Sequence, residues 1–178
     1  MTLADLYRER CAEPSDIQDH LPRFVEMVDR LHARHVIELG TRSGVSTTAW
    51  LYALEQTGGR LTSIDIDPAP DIGLWPHWTF LQGDDLDPRL IADLEPADIV
   101  FIDTSHTYEH TRTELAVYRH LVRPGGLMVL HDTLLMHPDG APLSPRFPVH
   151  KAVVEFCQQE RFTWTEHHDS WGLAVIQL

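Results

Sequence analysis

Cysteine is nearly absent. Cys11 and Cys157 are the only two in 178 residues, which excludes a disulfide framework and makes a reducing cytoplasm the expected compartment. Basic charge is scarce as well: 14 Lys and Arg stand against 27 Asp and Glu, a formal charge of −13, with no Lys/Arg cluster anywhere. Phosphate backbones would be repelled, so no nucleic acid is expected as a partner. Apolar runs are too short to cross a bilayer. Met1-Thr2-Leu3-Ala4-Asp5 lacks the basic-then-apolar layout of a signal peptide, so no membrane partner is expected either. Repeats, low-complexity tracts and linkers are also missing, which leaves one domain over 1–178.

The rest of the composition suits a globular chain that buries a real core, at 43% hydrophobic and 23% charged. Twelve histidines make the net charge sensitive to pH below about 7; most of them read as solvated surface. Short apolar runs alternate with amphipathic segments, the pattern of a mostly parallel sheet covered by helices. Strands are expected at His35–Leu39, Leu61–Asp65, Thr79–Gln82, Asp98–Asp103 and Leu127–His131. Phe162–His167 and Gly172–Gln177 read as a closing antiparallel hairpin.

Helical periodicity runs through Val45–Gln56, where positions 45, 49, 52 and 53 share a face and Gly58-Gly59 supplies the stop. It runs again through Tyr108–Val122, ended by Pro124-Gly125-Gly126, and through Val149, Val153, Phe156 and Cys157. Ser15 and Gln18 have capping-box spacing, but Pro22 would break a helix begun there. A turn at Asp16–Leu21 and a helix from Pro22 to about Ala33 are therefore expected.

The most informative segment is Val36-Ile-Glu-Leu-Gly-Thr-Arg-Ser-Gly-Val-Ser46. A strand enters a tight turn at Gly40 and Gly44, and a helix opens at once, offering unpaired N–H groups. Asp65 closes the next strand 65 − 44 = 21 residues later, where an acid can hold ribose hydroxyls. The spacing Glu38-x-Gly40-x-x-x-Gly44 is not the G-x-G-x-x-G of a dinucleotide fingerprint. An acid in the turn is costly beside a pyrophosphate and favourable beside an ammonium group, so Glu38 suits S-adenosylmethionine. The bland reading is a strand–loop–helix turn whose glycines serve geometry alone.

Glu38–Gly44, Asp65, Gly83-Asp84-Asp85, Asp98–Asp103 and Pro124-Gly125-Gly126 resemble, in order, the motifs of class I S-adenosylmethionine-dependent methyltransferases. The resemblance runs over roughly residues 14 to 178. It implies a Rossmann-like three-layer α/β sandwich with a seven-stranded, mostly parallel sheet whose last strand is antiparallel. It also implies cofactor contacts at Glu38, Gly40, Ser43, Gly44, Asp65, Asp84, Asp85 and Asp103.

In open α/β sheets, ligands sit beyond the carboxyl ends of the strands. Phe101-Ile-Asp-Thr-Ser-His-Thr-Tyr108 and Leu130-His-Asp-Thr133 would bring Asp103, His106, His131 and Asp132 to one rim. This arrangement, with Asp16-Ile…His20-Leu-Pro22, resembles small-molecule O-methyltransferases and cephalosporin hydroxylase-type proteins. The resemblance implies a metal at Asp103 and Asp132, although His131 or Thr133 stands where a second oxygen ligand is expected. Two carboxylates suit Mg²⁺; an added histidine shifts the preference to Mn²⁺, Fe²⁺ or Zn²⁺.

The expected reaction is in-line methyl transfer to a hydroxyl of a small molecule. His106 is the first candidate for general base and His131 the second; a metal at Asp103 and Asp132 is the alternative activator. Asp103 facing only the cofactor, His131 bonded to backbone, Tyr108 as packing, and Trp75 and Trp78 as core filling are the plainer readings. The 17-residue stretch Thr133–Val149 (149 − 133 + 1), with Arg146, reads as a substrate loop. Residues 1–33 read as an N-terminal helical lid. Rival functions are a non-catalytic cofactor-binding accessory protein and an NAD(P)-dependent oxidoreductase, the latter opposed by the missing third glycine. N- or C-methylation stays open, and a homodimer is compatible with the resemblance.

Overall fold

A computed structural model describes residues 2–135 and 147–178. The chain opens with α1 (Leu3–Ala12), capped by a reciprocal pair in which the Thr2 hydroxyl accepts from the Asp5 backbone N–H and the Asp5 carboxylate accepts from that of Thr2. A 3₁₀ turn at Gln18–His20 leads into α2 (Leu21–Leu31), with Pro22 in its first turn, where a missing N–H costs nothing. Then follow β1 (His35–Leu39), α3 (Val45–Thr57), β2 (Arg60–Asp65), β3 (Trp78–Gln82), α4 (Pro88–Ala92) and β4 (Ala97–Ile102). The second half carries α5 (Tyr108–Tyr118), β5 (Val122–His131), α6 (Pro148–Glu160), β6 (Thr163–His167) and β7 (Leu173–Gln177).

The seven strands form one sheet in the order β3-β2-β1-β4-β5-β7-β6. β3, β2, β1, β4 and β5 run parallel, and β7 is antiparallel to both its neighbours. This is the expected Rossmann-like three-layer α/β sandwich. β4 ends in the continuous apolar run Ile99–Ile102 because helices cover both faces of the sheet. Residues of α1, α2 and α3 bury one face around Phe24, Trp50 and Phe101, whose rings lie 4.2–5.7 Å apart. Those of α5 and α6 bury the other around Leu115, Tyr118 and Val153. No helix among the described residues is long and apolar enough to cross a membrane.

Three details differ from the pattern-based expectation. The helix expected over Tyr108–Val122 stops at Tyr118; a 3₁₀ turn, Arg119–Leu121, follows and β5 already begins at Val122. Pro124-Gly125-Gly126 therefore lies inside the strand, at an irregularity in its pairing with β4. Gly126 passes so close to β4 that a Cβ would stand 2.5 Å from the Asp98 carbonyl oxygen. Second, α1 packs on α3, with Leu3 and Leu6 buried and Tyr7 stacked on Tyr52 at 4.4 Å. Third, α4 has no counterpart in the sequence reading; Asp87 caps it. The expected substrate loop, Thr133–Val149, lies mostly outside the described residues, Arg146 included.

Candidate active site

The carboxyl ends of β1, β2, β4 and β5 meet at one edge of the sheet. Gly40 leaves β1 with φ +85°, and its N–H donates to the Ile64 carbonyl. A Cβ on Gly40 would lie 2.0 Å from the Asp103 carbonyl oxygen, so this glycine is required by the approach of two backbones. Gly44, also at positive φ, caps α3 and packs against Ile72 and Pro70. Both are explained by protein geometry without any ligand.

Glu38 is fully buried on the α3 side of β1, with its oxygens accepting from the hydroxyls of Ser46 (2.7 Å), Thr47 (2.9 Å) and Ser63 (2.7 Å). Ser63, its register partner on β2, accepts in turn from the Trp78 indole N–H at 3.0 Å. Burial pushes the Glu38 carboxyl up to about 7 against the pull of the three hydroxyls. A ligand-facing role was expected of Glu38; the structure encloses its carboxylate behind the loop, where it ties β1 to the first turn of α3.

A cavity of about 470 Å³ opens beyond these strand ends, within the usual range for small-molecule sites. Its lining includes Gly40, Asp65, Asp84, Asp85, Asp103, His106 and Asp132 from the expected set, but neither Glu38, Ser43, Gly44 nor His131. Six aspartates face it (Asp65, Asp67, Asp84, Asp85, Asp103 and Asp132), and Arg42 is the one arginine or lysine in the lining. Asp65 also anchors the glycine loop: its Oδ2 accepts from the Thr41 N–H at 2.7 Å and the Arg42 N–H at 3.1 Å. Burial raises its pKa, but these loop donors together hold it below the ordinary carboxylate value. Arg42 pairs with Asp16, which links the N-terminal segment to the rim.

Asp103, His106, His131 and Asp132 converge as the sequence anticipates. His106 Nε2 lies 3.0 Å from Asp103 Oδ1 and 3.0 Å from Asp132 Oδ2, and His131 Nδ1 lies 3.5 Å from each of the same oxygens. His106 and Asp132 both hold left-handed backbone, φ 54° and 60°, a strain that tends to persist where surrounding structure enforces it at functional sites. Burial would lower both imidazole pKa values, but the carboxylates outweigh it and raise His106 to about 9 and His131 to about 10. Burial works against Asp103 as well, yet the two histidines hold it well below the usual carboxylate range.

His131 is oriented from behind. Its Nε2–H donates to the Ser170 carbonyl at 2.8 Å, which leaves Nδ1 facing the carboxylates. That nitrogen is buried and has no hydrogen-bond partner. His20, from the 3₁₀ turn, stands edge-on to His131 at 5.7 Å, and burial pushes its pKa down to about 4. Asp103, His131 and Asp132 each offer a ligand atom within 4.8 Å of the others.

A second cluster escaped the sequence reading. His110, in the first turn of α5, places Nε2 3.1 Å from Asp85 Oδ1 and 3.6 Å from Glu114 Oε1. Thr104 donates its hydroxyl to Glu114 at 2.6 Å, and the Tyr118 hydroxyl donates to the Asp85 carbonyl at 2.6 Å. Asp85 Oδ2 and Glu114 Oε2 are buried without partners. Burial, with Asp85 close by, pushes Glu114 up to about 9. The available signal was the i, i+4 spacing of His110 and Glu114 on the helix that follows the Asp103 loop. Nothing local linked that pair to Asp85, 25 residues earlier.

A family described as "Methyltransferase domain" matches residues 37–133, more than half of the chain, and the protein belongs to that family. Among curated relatives, a rhamnosyl O-methyltransferase of Mycobacterium bovis is 24% identical over 136 residues, covering 70% of this chain and 54% of that protein. The chain thus spans about half the length of this relative. An O-methyltransferase from Bacillus cereus, solved with SAH, superposes with a TM-score of 0.68 at 18% identity, covering 99% of this chain and 90% of the other. The methyltransferase MycE, solved with Mg, SAH and mycinamycin VI, gives 0.68 at 21% identity, covering 90% and 48%. At these identities the structural likeness is one of fold.

Proposed function

We propose that the protein transfers the methyl group of S-adenosylmethionine to a hydroxyl oxygen of a small molecule. The observation that carries this reading is the acid-lined cavity ending on the His106–Asp103–Asp132 cluster. Six aspartates against one arginine suit a ligand bearing sulfonium and ammonium charges and disfavour a pyrophosphate, which speaks against a dinucleotide. Gly40, Asp65 and Asp84 hold the cofactor, while Glu38 and Gly44 keep the loop in shape around it. S-adenosylmethionine supplies an electrophilic methyl on sulfur; the acceptor oxygen forms the new C–O bond as the C–S bond breaks, and the sulfur departs as a neutral thioether.

The hydroxyl proton passes to Nε2 of His106 in its neutral form. This is the minority form below the raised pKa of about 9, so turnover rises with pH towards that value. Asp103 and Asp132, both 3.0 Å from that nitrogen, stabilise the imidazolium so formed. The donor set also fits a divalent cation at Asp103, His131 and Asp132: His131 Nδ1 is buried, turned to the two carboxylates at 3.5 Å by the Ser170 carbonyl behind it, and a cation would take the place of its proton. Such a cation, when bound, would lower the pKa of the acceptor hydroxyl. MycE, described with Mg, favours the same reading. A glycosyl hydroxyl is the first acceptor class to assay, given the rhamnosyl O-methyltransferase relative. The protein acts in the cytoplasm in this reading, and a homodimer is compatible with it.

Calorimetric titration of chelator-treated protein with S-adenosylhomocysteine, with and without Mg²⁺, and separately with NAD⁺, tests the assignment. Micromolar binding of the first and none of the last is expected. NAD⁺ binding without S-adenosylhomocysteine binding would replace the reading with an oxidoreductase. Cofactor binding without turnover on any hydroxyl acceptor would favour an accessory protein.

A further inference from the structure

We propose that Asp85, His110 and Glu114 form a second divalent-cation site, sharing no residue with Asp103, His131 and Asp132 and suited to Zn²⁺ in particular. One atom of each of the three lies within 4.8 Å of the others. The two edges from His110 Nε2, 3.1 Å to Asp85 and 3.6 Å to Glu114, bracket the roughly 3.4 Å between ligands of a tetrahedral Zn²⁺ at about 2.1 Å. One nitrogen and two carboxylate oxygens supply three protein ligands, the number at accessible zinc sites, and the imidazole shifts the preference from Mg²⁺ to a transition metal.

The surroundings point to an absent cation. Glu114 is fully buried and Asp85 nearly so, yet His110 is the one basic side chain that pairs with either among the described residues. Asp85 Oδ2 and Glu114 Oε2 are buried with no donor from any other side chain; in the metal-free protein the Glu114 proton lies between the two carboxyls, the place a cation would take. The outer partners of a built site are in place: Thr104 holds Glu114 Oε1 and Tyr118 holds the Asp85 backbone. Asp85 and His110 both line the cavity, which gives an ion its route in. His110 binds through Nε2 as the neutral imidazole with its proton on Nδ1, releasing the contacts that Nε2–H now makes.

The test uses the full chain, stripped with a chelator and titrated with Co²⁺ read by its visible absorption, then with Zn²⁺ by calorimetry. Asp132→Asn weakens the first site, so the measurement is made in that background. One equivalent of Co²⁺, displaced by Zn²⁺, is expected there, and adding His110→Ala should weaken it at least about tenfold. Adding Glu114→Gln instead should do the same; where that variant fails to fold by circular dichroism, the partly exposed His110 decides alone. No uptake in the Asp132→Asn protein, or uptake that His110→Ala leaves unchanged, overturns the proposal. The readout is metal uptake alone, so either result is independent of methyl transfer.

Discussion

Asp103 and Asp132 meet two imidazoles within 3.5 Å, whereas Asp85 and Glu114 meet one. Both clusters draw on the same cavity and the same residue types. The first reaches charge balance from its own side chains, with its carboxylates held ionised and its histidines held protonated. The second has one imidazole for two carboxyls, and burial with Asp85 close by pushes the Glu114 carboxyl up to about 9, so that it keeps its proton. Glu38 is a third case: a buried carboxylate with three hydroxyls and no cation, raised to about 7. The number and kind of partners, more than residue identity, set what each carboxylate can do.

The largest effect is expected from Gly40→Ala. Its Cβ would meet the Asp103 carbonyl at 2.0 Å, from a backbone at φ +85°. Two backbones cannot both give way, so a loss of stability above about 3 kcal/mol, or no folded protein, is expected in denaturant titration. A normally stable variant would show that the balanced cluster is not held by this contact. Next comes His106→Ala, expected to lower kcat by about 10²–10⁴-fold in a methyl-transfer assay. Its affinity for S-adenosylhomocysteine should stay within a few-fold by calorimetry. Unchanged turnover would remove the chemical distinction between the two histidine clusters.

Glu38 sharpens the comparison through pH. Its folded pKa stands above the unfolded one, so the folded state holds the extra proton and stability falls as pH rises from 4.5 to about 7. The fall amounts to about 3 kcal/mol. Glu38→Gln should flatten that stretch of the stability–pH curve; an unaltered slope would place its origin elsewhere. Thr104→Val is the smallest change. It removes the hydroxyl donor to Glu114 and should cost about 1 kcal/mol in the metal-free protein, measured by urea unfolding. No cost would mean that Glu114 has other support.

Much of the architecture could be read along the chain. The strand runs, the α3 face, the Pro22 start and the closing hairpin all rest on local periodicity and turn chemistry, which act over a few residues. The meeting of Asp103, His106, His131 and Asp132 followed from strand adjacency. The end of α5 was missed because Val122 continues the apolar helical stripe; only its pairing with Ala97 assigns it to β5. Glu38 sits in the glycine loop's motif, and no pattern says that Ser63, one strand over, will engage its carboxylate. The Asp85–His110–Glu114 cluster was invisible for the same reason: β3 ends and α5 begins far apart in sequence.

The sequence by itself determined the layering, the parallel order of elements and the glycine-and-acid loop, because burial period and backbone freedom are local properties. Which carboxylates face the cavity, which are enclosed, and how many positive partners each one meets were decided by tertiary structure alone. Those outcomes depend on desolvation and on contacts a few ångströms wide between segments that the chain keeps dozens of residues apart.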